Sequence, residues 1–344
     1  MSEKRVIWVD IMKYLGIMLI MMLHLDSRTI LVDRLAFPIY LPVFFFAAGY
    51  TYRHKPGFGP FFSKKVKTLL WPWLFFSVFN ILLAQVFSLN QHLPLHKELA
   101  LNFLQIRGEF DGVWFVAALF VAFLLFYWII HLNKGSWIRI CGVSFGLSLA
   151  LALYSWWMPG EWFPWGHNAL PWHLESMGDA VLYMSLGYCL RNYWEERFDR
   201  IFTLGISGCV WVAYLLMVAL LPVYNRQITS FGTLCLNYGS TLLGLVAVVT
   251  LCKRVSSNRY INYVGANTLV YFALHGKAYS VMQKLLAKLI PGLYARILAN
   301  MWTSTAMCLA LTALLSVLLI IPAYIINRWF PFLLGRKRKA DRSK

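Results

Sequence analysis

Asp10, Lys13 and His24 are three ionisable residues within one apolar stretch, Val6 to Leu25 (VIWVDIMKYLGIMLIMMLHL). An ionisable group in hydrocarbon is costly, so it needs a partner or a wet surface. At about 100° per residue, the steps of three and eleven residues leave all three within about 60° of one face. A helix with such a stripe faces a protein interior or a water-filled cavity rather than lipid. The residue types suit proton transfer and charge stabilisation. A histidine that titrates near neutrality is the natural general base for a hydroxyl. The structural alternative is an Asp10–Lys13 intrahelical pair with His24 as a wetted group at the helix end.

Three further groupings carry chemistry. Residues 53–73 (RHKPGFGPFFSKKVKTLLWPW) hold Arg53, Lys55, Lys64, Lys65 and Lys67 with His54. Each lysine alone reads as topology charge, but as a cluster they suit an anionic cytosolic ligand bearing several phosphates. Residues 108–120 (GEFDGVWFVAALF) set Glu109 and Asp111 beside Trp114 at a helix start. There they are candidates to orient His24 or to sit beside an acceptor, although acids at helix starts also complement the helix dipole. Residues 267–279 (NTLVYFALHGKAY) put His275 and Lys277 near the middle of another apolar run. No HExxH, P-loop, GxSxG or CxxC pattern occurs, so no metal site is expected and nucleotide hydrolysis is poorly supported.

Long apolar elements must position these groups. The chain has 344 residues, 60% hydrophobic and 13% charged, with mean hydropathy +0.60. A soluble protein carries roughly 25% charged residues. The reading is an all-α membrane protein, a bundle of about ten transmembrane helices over roughly 6–25, 35–52, 68–88, 112–132, 137–157, 177–191, 201–222, 229–252, 265–289 and 303–327. The second run, with Pro38, Pro42 and Gly49, is expected to be kinked or broken. Of the 32 Lys and Arg residues, 22 lie in the segments that are inner if the N-terminus is cytoplasmic, six in the outer segments, and four within spans. That bias puts both termini in the cytoplasm, His24 near the outer face and Lys13 deeper toward the cytoplasm. It also explains the net charge of +18 without nucleic acid as a partner. Residues 1–327 read as one bundle. Residues 328–344 read as a basic cytoplasmic tail that contacts anionic lipid.

The six cysteines fall in or at the ends of apolar runs and read as packing residues. The first run reads as a retained helix rather than a cleaved signal. Two outer loops are long. Residues 89–111 carry His92, His96, Arg107, Glu109 and Asp111. Residues 158–176 (PGEWFPWGHNALPWHLESM) carry His167, His173 and Glu175 among aromatic anchors, and read equally as a re-entrant lid or an ordinary interfacial loop.

Several segments in order resemble a known family: Asp10, Lys13 and His24; LPVFFFAAGY (41–50); KKVKTLLWPW (64–73); VWFVAALF (113–120); YMSLGYCLR (183–191); and NTLVYFALH (267–275). Together they are similar to the integral-membrane acyltransferase family 3, close to its fucose-O-acetylase-like branch of surface-glycan O-acetyltransferases. Much of the family has Arg where this chain has Lys13, Lys64 and Lys67; lysine keeps the charge and loses the planar fork.

The resemblance implies an O-acetyltransferase of the bacterial inner membrane. It would move acetyl from cytosolic acetyl-CoA to a hydroxyl of an extracytoplasmic or lipid-linked glycan. Donor phosphates would meet Arg53, Lys64, Lys65 and Lys67. Lys13, oriented by Asp10, would neutralise the donor or a developing oxyanion, and His24 would be general base or transient acyl carrier. Glu109, Asp111, Trp114 and His275 would serve the acceptor. The main alternative is a transporter or flippase for an anionic or glycolipid substrate, for which internal repeats are expected and none is found. A membrane sensor or scaffold that binds a ligand in the same polar cavity is a third reading.

Overall fold

The computed structural model describes residues 5–87, 93–108, 113–220 and 230–336. The described residues form helices and turns with no strand. In chain order the helices are α1 (Ile7–Leu23), α2 (Ile30–Ala36), α3 (Pro42–Thr51), α4 (Phe58–Lys65), α5 (Trp71–Phe87), α6 (Leu95–Leu104), α7 (Trp114–Leu132), α8 (Trp137–Trp157) and α9 (Met177–Cys189). Then follow α10 (Glu195–Ile201), α11 (Leu204–Leu220), α12 (Phe231–Cys252), α13 (Arg259–Ala266), α14 (Thr268–Leu289), α15 (Pro291–Ala299), α16 (Met301–Leu318) and α17 (Ile320–Trp329).

Among the described residues, five helical stretches are long and apolar enough to cross a membrane: Phe58–Val86, α7, α8, α12 and Met301–Trp329. A sixth arises if Pro171–Ile201 and Leu204–Leu220, bent by 98° at their break, act as one span. Each of the ten expected apolar runs falls on a helix, but several do not qualify as spans by themselves. α1 has 17 residues and α3 has ten. The expected break in the second run is present: α2 stops at Ala36, and α3 restarts with Pro42 at its first position, where a missing N–H costs nothing.

Two π-helical turns interrupt the long helices. In the first, Val66–Leu70, the Trp71 N–H bonds the Val66 carbonyl five residues back. Pro72 is the cause at hand: it has no N–H for the Thr68 carbonyl, so the ladder must widen or kink around it. The second, Leu190–Trp194, joins α9 to α10.

The chain folds into two compact units. The first comprises residues 1–52, 182–268 and 282–316. In it α1 packs on α13, α3, α12 and α2, and α11 lies on α12. α3 and α9 touch backbone to backbone through two glycines: a Cβ on Gly49 would lie 1.9 Å from the Met184 oxygen, and one on Gly187 2.1 Å from the Phe46 oxygen. The second unit comprises residues 53–181, 269–281 and 317–344. In it α7 packs on α4, α5, α8, the first π turn and the Pro171–Ser176 turn.

Candidate active site

α1 supplies the first constellation, within the first unit. Asp10 is buried, 4% exposed. Its carboxylate accepts from Lys13 Nζ at 3.0 Å and also from Arg5 Nε. Arg5 donates a second time, from Nη2 to the Asn262 carbonyl of α13 at 2.6 Å. Gly265 lets α13 lie this close to α1, because a Cβ there would sit 2.2 Å from the Asp10 main-chain oxygen. A buried carboxylate is stable only with partners that satisfy it, and here it has two cations. The sequence pairing of Asp10 with Lys13 is thus present. Arg5, read from sequence only as topology charge, is the residue that reading missed. The available signal was its place five residues before a lone acid that has only one other cation nearby.

His24 caps the C-terminus of α1 and is exposed. Its Nδ1 lies 2.8 Å from the Ile20 carbonyl. A carbonyl only accepts, so Nδ1 carries the proton in that bond, and Nε2 of the neutral ring carries the lone pair. In that tautomer Nε2 is the nitrogen able to accept a proton. Eleven residues separate Lys13 from His24, a rise of about 16 Å.

The start of α1 is held from outside the polar stripe. Trp8 packs edge-on against Tyr50 of α3, centroids 4.6 Å apart. The Tyr50 hydroxyl donates to Glu195 at 2.7 Å, and Lys253 bridges Glu195 at 3.0 Å and Asp199 at 2.7 Å. Arg191, in the second π turn, donates to the Tyr50 carbonyl at 3.0 Å. Two of the segments singled out in the sequence, 41–50 and 183–191, therefore meet through Gly49, Gly187, Tyr50 and Arg191.

The remaining expected residues that are described belong to the second unit. Arg53, Lys64 and Lys67 are exposed. Lys65 is turned inward, its ammonium 3.0 Å from the centre of the Phe123 ring. The Lys67 main chain is pinned by the C-terminal turn: a Cβ on Gly335 would lie 1.9 Å from the Lys67 oxygen, and Trp71 Nε1 donates to the Phe332 carbonyl at 3.1 Å. His54 stacks near Tyr127 and His131, at 5.0 and 5.6 Å. Burial, with the nearby Lys134 and His131 adding to it, lowers its pKa below the ordinary histidine value.

Trp114 opens α7 with its ring 4.6 Å from the imidazole of His173. His173 and Glu175 are buried, Glu175 accepts from the Leu170 N–H at 2.9 Å, and Arg107 Nη2 lies 3.0 Å from Glu175 Oε1. The C-terminal part of the 158–176 loop is therefore held by polar contacts of the buried Glu175. All four described non-glycine residues with positive φ lie in this cluster or within two residues of it: Gln105, Val113, Trp172 and His173. His275 is buried on α14, with Nδ1 2.8 Å from the Phe272 carbonyl. Glu109 and Asp111 lie outside the described residues. No group of three or more His, Cys, Asp or Glu among the described residues could hold a metal ion.

Comparison with known families bears on what this chain does. The model of the acyltransferase 3 family, described as an acyltransferase domain, matches residues 6–321. The chain belongs to that family. No curated protein and no solved structure matches it. The match takes in nearly the whole chain, α1 and both units included. Together with the apolar helices, it makes the protein an integral-membrane acyltransferase.

Proposed function

We propose that this acyltransferase is an O-acetyltransferase of a bacterial inner membrane, built on ten spans with both termini in the cytoplasm. Acetyl-CoA is the donor, and the acceptor is a hydroxyl of an extracytoplasmic or lipid-linked glycan. The observation that carries the reading is His24: its Nδ1 donates to Ile20, which leaves Nε2 basic at the end of a charged helix.

His24 Nε2 takes the proton of the acceptor hydroxyl as its oxygen attacks the thioester carbonyl. The C–O bond forms, the C–S bond breaks, and the proton leaves with the thiolate as free CoA. The same nitrogen also suits the alternative in which it carries the acetyl group between donor and acceptor. Lys13 lies too far along α1 to reach a carbonyl held at His24, so its charge serves the donor rather than the oxyanion. Exposed Arg53, Lys64 and Lys67 serve donor phosphates, whereas Lys65 is engaged with Phe123.

The test uses membrane vesicles carrying the protein and acetyl-labelled acetyl-CoA. Label is expected in the glycan fraction together with release of free CoA. His24→Ala should cut transfer by about 100-fold or more without changing the amount of folded protein. Lys64→Glu with Lys67→Glu should weaken acetyl-CoA binding by about tenfold. Full transfer by the His24 variant removes His24 from the chemistry, and unchanged binding by the lysine variant removes the donor assignment.

A further inference from the structure

The Arg5–Asp10–Lys13 cluster holds more positive charge than its carboxylate can cancel. Asp10 is one acid that accepts from two cations, so the cluster carries a formal +1. Were Lys13 alone to face this buried carboxylate, the pair would be neutral and would attract no anion. Arg5 changes that balance. It reaches Asp10 from the residue before the α1 N-cap and is fixed a second time by the Asn262 carbonyl. Both cations remain partly open, with side chains 53% and 28% exposed for Arg5 and Lys13. The surface they form is anion-accepting; at about 1.5 Å per residue its Lys13 edge stands about 16 Å along the helix from His24, and Asp10, where Arg5 attaches, about 21 Å. An acyl group at His24 sits at one end of a pantetheine arm, and at a comparable distance along the extended arm is the pyrophosphate of the donor.

Resting on the O-acetyltransferase reading above, we propose that Arg5 is a donor-positioning residue: by sharing Asp10 it keeps the α1 face at net +1, and that face takes the pyrophosphate of acetyl-CoA. Coenzyme A carries phosphate in two places, the pyrophosphate and the ribose 3′-phosphate. The α1 face takes the first of these.

The experiment compares thiol release from acetyl-CoA and from acetyl-pantetheine, which has no phosphate, by vesicles carrying the full chain. Arg5→Gln should raise the KM for acetyl-CoA by about tenfold and leave that for acetyl-pantetheine within about twofold. Arg5→Lys should recover part of the loss. In an Asp10→Asn background, where no carboxylate needs offsetting, Arg5→Gln should raise the acetyl-CoA KM by less than about threefold. Equal rises for both donors, an unchanged KM for acetyl-CoA, or the same Arg5→Gln penalty in both backgrounds would overturn the proposal and assign Arg5 to holding α13. If Arg5→Gln alone does not fold, the Asp10→Asn pair decides: a tenfold rise there overturns it. A wild-type protein that releases no thiol, or a His24→Ala variant as active as wild type, instead defeats the enzyme reading on which this inference rests.

Discussion

At Asp10 a single buried carboxylate accepts from Arg5 and Lys13, and the ratio of one to two leaves a formal +1 on that face of α1. The Asp10–Lys13 half of this was legible in the sequence, because i, i+3 spacing on a helix brings side chains together. The Arg5 half was not, since Arg5 precedes the helix and its direction is set by the carbonyl of Asn262, more than 250 residues away. A second residue-scale consequence concerns His54. Its folded-state pKa is lowered by burial, Lys134 and His131. Above about pH 6.5 the ring is neutral in both folded and unfolded chains. Below that, the unfolded chain takes up the proton first, so stability falls as pH falls toward the lowered folded-state pKa. Thermal melting between pH 7 and pH 5 should therefore drop less in His54→Phe, which keeps an aromatic ring against Tyr127 and cannot take a proton. An identical pH slope in the two proteins would discard this account.

Helices in this protein are joined by close backbone contacts that the sequence marks only as glycine. Gly49 and Gly187 let α3 and α9 touch main chain to main chain, and that contact brings Arg191 to the Tyr50 carbonyl. A side chain at Gly187 has nowhere to go, because the nearest atoms are backbone rather than flexible side chain. Gly187→Val should cost about 3 kcal/mol or more, or abolish folded yield. Gly146→Ala on α8 is the control: a Cβ there meets nothing within 4 Å, and alanine favours a helix. Melting of the detergent-solubilised variants checks both, and a Gly187→Val protein as stable as Gly146→Ala would contradict the packing. The break in the second apolar run was legible, since Pro38 and Pro42 state their own geometry. The two π turns were less so. Pro72 signals a disturbance, but whether a helix kinks or widens depends on what packs around it.

For the whole molecule, the distribution of Lys and Arg carries the argument about orientation. The proposed topology puts the 22-residue basic set, Lys134 included, on the cytoplasmic side and residues such as Glu161 outside. In a cysteine-free background, Glu161→Cys should react with a membrane-impermeant thiol reagent added to intact cells, and Lys134→Cys only after lysis. The reverse pattern would invert the molecule and place His24 at the cytoplasmic face.

By itself the sequence determined the all-helical, apolar class of molecule and the resemblance to the acyltransferase 3 family, which the family match bears out. Those properties follow from hydropathy, charge bias and local spacing, which act along the chain. It also named the residues on the polar face of α1, since helical periodicity is local. Only the tertiary structure decided which groups complete that face. The anchoring of Arg5 on the Asn262 carbonyl, the inward turn of Lys65 onto Phe123, the clamp of Tyr50 by Glu195 and Arg191, and the pairing of Arg107 with Glu175 all join residues far apart in sequence. Such contacts arise because buried polar groups must find partners wherever the fold supplies them, and no local pattern says where that will be.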